Sequence, residues 1–188
     1  MSDSAPVRKP ATYEDLCRVP DHLVAEILDG ELFATPRPAL PHAHTAMLLG
    51  GEISGPFDKG RGGPGGWILL FEPELHLSED ILIPDLAGWR RERLPSVPDA
   101  PYLTLAPDWV CEILSPSTER IDRLRKLRIY NREGVTHAWL VNPLQRTLEA
   151  LRLEQGRWVV AATHGGEENE VAIEPFDAIP LELSRIWP

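Results

Sequence analysis

Asp108-Trp-Val-Cys-Glu-Ile-Leu-Ser-Pro-Ser-Thr118, then a basic segment, then Gly134-Val-Thr-His-Ala-Trp-Leu-Val141, is the stretch around which the chain is organised. It reads as strand, helix, strand. Trp109 to Leu114 is apolar and β-prone except at Glu112, so a sheet built from it must satisfy that carboxylate or use it. Ser115 as N-cap with Pro116 at the first helical position is a start signal, and Gly134 just past Glu133 is the matching stop. The predicted helix spans Pro116 to Glu133. Within it Asp122, Lys126 and Tyr130, spaced four apart, share one ridge, while Ile121, Leu124 and Leu127 form a neighbouring apolar row. Lys126 therefore stands at the border of a buried face.

Upstream, Ile81 to Trp89 is a second strongly apolar strand holding Pro84-Asp85, and the proline marks an edge or an irregular point. Ser78-Glu79-Asp80 turns into it from a long strand, Trp67 to Leu77, interrupted by Glu72 and Glu74. The eight glycines from Gly50 to Gly66 form a flexible connection, and their spacing fits neither GxxxxGK[ST] nor GxGxxG, which excludes a phosphate loop. A helical pattern starts at His42 and runs through Ala46, Leu48, Leu49 and Ile53. His42 and His44, two apart, diverge on a helix, so a joint metal site is disfavoured and His42 is assigned to a cap or the surface. Thr35 to Pro41 carries three prolines and is read as irregular.

Asp29-Gly30 closes a hairpin over Leu23 to Ala34, and Glu26 on its first strand is by itself expected to face solvent. Thr12-Tyr13-Glu14-Asp15 is a capping box that opens a short helix ended by Pro20, and residues 1 to 10 read as a frayed tail. Downstream, Asn142-Pro143 is a turn, and Thr147 to Leu153 pairs with Arg157 to Ala162 around Gln155-Gly156. Glu167, Glu168 and Glu170 form an acidic surface loop, and the apolar ending from Phe176 to Trp187 packs back on the body.

A chain of 188 residues, 43% hydrophobic, is long enough for one well-buried core and short for two, so a single domain is expected. No apolar run is long enough to span a bilayer, and Met-Ser-Asp-Ser-Ala-Pro-Val-Arg-Lys-Pro lacks the apolar centre of a signal peptide, which predicts a soluble, cytoplasmic protein. Cys17 and Cys111 lack CxxC spacing and are expected as reduced core residues. A net charge of −10 excludes a protein that coats nucleic acid non-specifically. Yet Arg120, Arg123, Arg125, Lys126, Arg128 and Arg132 face only Asp122 within thirteen residues, and Arg90, Arg91 and Arg93 form a second cluster. These are either solvated faces or a phosphate-facing patch.

Asp85 and Glu112, each in an apolar strand and 27 residues apart, suit neighbouring strands. Burying two carboxylates costs several kcal/mol each unless they meet a base, take a proton or share a cation. A hard divalent ion answers both burials and would make phosphodiester hydrolysis possible, with Lys126 offsetting charge that builds on the phosphate. A plain salt bridge from Lys126 to one acid is the structural alternative.

Asp85 behind a proline, with Glu112 on a following strand, resembles the PD-(D/E)xK nuclease pattern. Glu26-Ile-Leu-Asp-Gly-Glu-Leu32, Pro84-Asp85, Asp108 to Thr118, Asp122 with Lys126 and Tyr130, and Gly134-Val135 through Trp139-Leu-Val-Asn-Pro143 are, in that order, similar to the Uma family of restriction-endonuclease-like bacterial proteins. The likeness runs from about Thr12 to Trp187. It implies an α/β restriction-endonuclease-like core, a mixed β-sheet flanked by helices with N-terminal and C-terminal hairpins, and Mg²⁺-dependent DNA cleavage, with Mn²⁺ as a substitute ion. Asp85 and Glu112 would hold the metal with the Ile113 main-chain carbonyl as a third ligand. Glu26 would join the active site, and His44 falls near the family's histidine at the start of the next helix. The lysine expected two residues after Glu112 is Leu114, and Lys126 on the following helix takes its role in this reading. Asn142 replaces an aspartate often seen before that proline, a turn substitution. Arg123 and Arg128 are expected to bind DNA. A homodimer is expected too, since nucleases of this fold commonly act in pairs, with Trp89, Trp158 and Trp187 as exposed anchors. The second functional reading is a catalytically silent binding or assembly protein that keeps the fold.

Overall fold

The Thr12 side chain accepts from the Asp15 N–H and the Asp15 carboxylate accepts in return, so α1 (Tyr13–Cys17) opens with the expected capping box. The computed structural model describes residues 9–165, 168 and 170–188. Most of the tail expected over residues 1–10, and Glu167 of the acidic loop, lie outside the described residues. β1 (Leu23–Leu28) and β2 (Glu31–Pro36) pair antiparallel across Asp29-Gly30, both of which take positive φ, as a two-residue hairpin turn requires.

α2 (Leu40–Ile53) starts two residues earlier than the sequence pattern suggested, because Pro41 fits the first turn, where no N–H is needed. It also continues through Gly50 and Gly51 into a π-helical turn, Ser54–Asp58, so only the end of the glycine-rich stretch is a loop.

The two long strands expected next each break in two. β3 (Trp67–Phe71) and β4 (Leu75–Leu77) part at Glu72, whose φ is positive. β5 (Asp80–Leu82) and β6 (Leu86–Arg90) part at Ile83-Pro84-Asp85, where proline has no N–H for a continuous ladder. The breaks face each other, since the Glu72 N–H donates to the Asp85 carbonyl at 3.0 Å. There both segments pass from one sheet to another.

β7 (Trp109–Ile113) leads to α3 (Glu119–Ile121), a π-helical turn (Asp122–Lys126) and α4 (Leu127–Arg132), then to β8 (His137–Asn142), β9 (Thr147–Glu154) and β10 (Arg157–Gly165). β7 and β8 run parallel with a helical crossover, and the other pairs of the six-stranded sheet β10-β9-β8-β7-β6-β3 are antiparallel. A four-stranded sheet, β2-β1-β5-β4, holds the N-terminal hairpin, and β11 (Glu170–Val171) pairs with β12 (Leu181–Glu182). The architecture is the mixed α/β one expected.

Alternation along β7 feeds two apolar clusters. Trp109, Cys111 and Ile113 pack with Leu49 and Ile53 of α2 and with Phe176, Leu183 and Ile186, which brings the C-terminal segment back onto the body as expected. Phe176 lies 4.8–5.6 Å, ring centre to ring centre, from Phe57, Trp67, Trp109 and Trp139. Val110 and Leu114 pack on the other face with Ile129 and Tyr130 of α4 and with Leu28 and Leu82 of the smaller sheet. Glu112 stands between Val110 and Leu114, so it points toward α4 and the smaller sheet.

Several local expectations are corrected. Cys17 is exposed, while Cys111 is buried. Trp89 is wholly buried, its Nε1–H donating to the Leu105 carbonyl, and Trp158 and Trp187 are partly buried, so none is the exposed anchor expected. Helical geometry begins at Glu119, after a turn in which the Ser115 hydroxyl accepts the Thr118 N–H. The π turn changes the angle between successive side chains, and Leu124 emerges 61% exposed instead of continuing an apolar row.

Candidate active site

Lys126 lies in the π-helical turn, buried, and its Nζ meets three carboxylates from three elements. Glu26 Oε1 of β1 is 2.9 Å away, Glu112 Oε2 of β7 3.2 Å, and Asp122 Oδ1, one turn earlier, 3.5 Å. The second Glu112 oxygen accepts from the Tyr130 hydroxyl at 2.5 Å. Glu26 Oε1 also accepts the Ile83 N–H at 2.8 Å, tying β1 to the strand break. Glu26 is buried, against the solvent-facing place its own strand suggested. α4 thus supplies Tyr130, the turn before it Asp122 and Lys126, and the parallel strand Glu112.

Asp85 sits in the break itself. Its Oδ2 accepts the Ile113 N–H at 2.7 Å, and its Oδ1 is 3.2 Å from His42 Nε2. His44, expected near the site, is exposed, and His42, expected at a cap or the surface, is instead buried beside Asp85. The signal was available: His42, Ala46, Leu49 and Ile53 follow the i, i+4, i+7, i+11 spacing of the buried helix face. Glu26, His42, Asp85, Glu112, Asp122 and Lys126 line one cavity of about 320 Å³, and Glu72 and Arg37 line it as well.

Charge is unbalanced there. Five carboxylates, Glu26, Glu72, Asp85, Glu112 and Asp122, line a cavity with two permanent cations, Lys126 and Arg37. Burial pushes the Glu112 carboxyl well up, against the opposing pull of Lys126. Burial also raises Asp122, to about 6, and raises Glu72, with Asp85 adding to both. Lys126 is raised too, for a different cause. Burial disfavours its charge, but Glu112, Glu26 and Asp122 outweigh that and hold it a firm ammonium. Burial likewise opposes a charged His42, and the bond to Asp85 together with the charges of Asp85, Asp122 and Glu72 outweighs it.

Among the described residues no group of three or more His, Cys, Asp or Glu side chains is arranged to hold a metal ion. Mg²⁺ asks for less: one or two carboxylates, a carbonyl and waters. Asp85 and Glu112 are hard oxygen donors on one cavity wall with Ile113 beside them, and the surplus of negative charge favours a cation. The residues therefore fit such an ion in kind.

The basic face differs from expectation. Arg123 meets Glu119 at 3.0 Å and Glu149 at 2.5 Å, and Arg128 meets Asp29 at 2.5 Å. Arg125 pairs with Glu31 and Asp29, and Arg132 with Asp80 and Glu133. Four of the cluster's five arginines are thus ion-paired to the chain's own acids. Arg123 and Arg128 do not line the cavity.

A family model described as a putative restriction endonuclease, Uma2, matches residues 10–185. The chain belongs to the Uma2 family. A crystal structure of a putative nuclease from Anabaena variabilis superposes with a TM-score of 0.76 at 19% identity, covering 95% of this chain and 98% of that one, which shows that the fold is shared. No curated protein matches the chain. A nuclease-like fold and the Uma2 assignment stand together, and Asp85, Glu112, Lys126, Glu26, Asp122 and Tyr130 converge within it. Among the described residues no helix is long and apolar enough to cross a membrane.

Proposed function

We propose that the cavity is the active site of a metal-dependent endonuclease that hydrolyses DNA phosphodiester bonds. What supports the reading is the convergence of three buried acids on a single buried lysine, with Asp85 lining the same cavity, inside a nuclease-like fold. Asp85 and Glu112 would hold Mg²⁺ or Mn²⁺ with the Ile113 main-chain carbonyl. When bound, such an ion lowers the pKa of a water for attack on phosphorus and offsets charge on the phosphoryl oxygens.

The chain's own groups do the rest. Lys126, held charged and fixed by Glu26 and Asp122, presents an ammonium to negative charge that builds on the scissile phosphate. Tyr130 orients Glu112 through its hydroxyl, and His42 and the Ile113 N–H orient Asp85. Such a protein works on DNA in the cytoplasm, and cutting both strands of a duplex calls for two such sites, hence a homodimer, read out by sedimentation.

A second reading is favoured by one observation: both Glu112 oxygens already have partners, as in a self-contained structural network. The chain would then bind or assemble without turnover. Calorimetric titration with Mg²⁺ or Mn²⁺ separates the two, because the nuclease reading predicts binding that Asp85→Asn abolishes, and plasmid cleavage tests turnover. A wild-type chain that binds no divalent ion refutes the nuclease reading.

A further inference from the structure

Of the two permanent cations that line the cavity, Lys126 is committed to three carboxylates, whereas Arg37 has no ion pair among the described residues. Arg37 is exposed and lines both the cavity and a neighbouring groove of about 420 Å³, the two sharing Val24, Arg37, Glu72 and Ile83. It therefore stands where the cavity opens. Its Nη2 donates to the Asp21 carbonyl at 3.0 Å, which occupies one of five guanidinium donors and fixes the group without neutralising it. Pro36 and Pro38 flank it in sequence, and a following proline confines Arg37 to extended backbone. Its charge reaches inward and partly offsets the burial and the Asp85 repulsion that keep the Glu72 carboxyl raised. Ser117 and Thr118, which also line the cavity, supply hydroxyls and no cation.

We propose that Arg37 is the phosphate anchor of this site, binding a DNA backbone phosphate adjacent to the one that is cleaved. The proposal rests on the nuclease reading of the cavity. A planar fork of donors held at an otherwise acidic mouth matches a phosphodiester, which takes two parallel N–H bonds from arginine and only a point charge from lysine. It also explains how a chain of net charge −10, whose arginine cluster is occupied by its own acids, can hold a polyanion at one place. The neighbouring groove gives the strand a path past Arg37.

The test compares wild type, Arg37→Ala, Arg37→Lys and Arg61→Ala, which removes the same charge from the glycine-rich loop away from the cavity. Binding of a short fluorescent DNA oligonucleotide is followed by anisotropy in Ca²⁺ over a range of salt, and cleavage in Mg²⁺, with melting temperatures as a folding check. Arg37→Ala should weaken binding and raise KM about tenfold with kcat little changed, and should reduce the salt slope by about one. Arg37→Lys should recover part of the loss, and Arg61→Ala should match wild type. Binding by Arg37→Ala equal to wild type, or no binding by wild type, overturns the proposal. If wild type binds through Arg37 but never cleaves, the anchor stands and the nuclease reading falls.

Discussion

Lys126 Nζ lies 3.2 Å from Glu112 Oε2, a contact between the π-helical turn and the central parallel strand in which both side chains are less than a tenth exposed. Neither group could be buried without the other, and the lysine is shared with Glu26 and Asp122. Removing Lys126 leaves three buried carboxylates without their cation. Lys126→Met, which keeps the aliphatic stem, should therefore lose about 3–5 kcal/mol of stability in the absence of divalent ions, measured by denaturant unfolding. In Mg²⁺ the proposed active site predicts turnover lower by about two to three decades. An unchanged unfolding midpoint would mean the ammonium is not what balances these acids.

Asp122 provides a pH signature. Its carboxyl is raised from 3.8 to about 6, with burial the largest cause. Between those values the folded chain keeps a proton that the unfolded chain releases, so this group's contribution to stability falls as pH rises through the window. Asparagine cannot titrate. The stability of Asp122→Asn relative to wild type should therefore grow across that window by at most about 3 kcal/mol, followed by urea unfolding at several pH values. A pH-independent difference would show that burial does not raise the Asp122 carboxyl.

Gly88 on β6 tests the packing behind the site. A Cβ there would meet Leu69 Cδ2 at 2.8 Å and the rings of Trp67 and Trp109 at 3.2 Å. Leu69 can swing aside and the two fully buried indoles cannot. Gly88→Ala should cost about 1–3 kcal/mol by thermal or urea unfolding, with the cavity's ion pairs intact. A neutral substitution would indicate that the tryptophan pair is looser than its geometry implies.

Glu112 and Asp85 were legible because an acid inside an apolar strand has to be paired, and Lys126 because four-residue spacing ties it to Asp122 and Tyr130. The strand, helix, strand reading of Asp108 to Val141 carried the parallel pair at the centre of the sheet. The sheet switch was not legible: Glu72 and Pro84-Asp85 interrupt two otherwise apolar runs, but nothing in the sequence shows that the interruptions meet, with the Glu72 N–H on the Asp85 carbonyl. His42 was legible from its spacing to Ala46, Leu49 and Ile53 on the buried helix face, although the two-residue gap to His44 suggested otherwise. Leu124 points inward on an ideal helix, and the π turn moves it out. The basic cluster looked unpaired because its partners, Asp29, Glu31, Asp80 and Glu149, are brought to it from other strands.

Glu112→Gln decides most directly between an active site and a structural ion pair. Glutamine keeps the shape and still accepts a hydrogen bond, Lys126 retains Glu26 and Asp122, and the loss of one buried negative charge relieves repulsion with Asp85 and Asp122. Plasmid cleavage in Mg²⁺ should be abolished while the metal-free melting temperature holds or rises. Cleavage at the wild-type rate, or unfolding of the variant together with its loss of activity, would contradict the account.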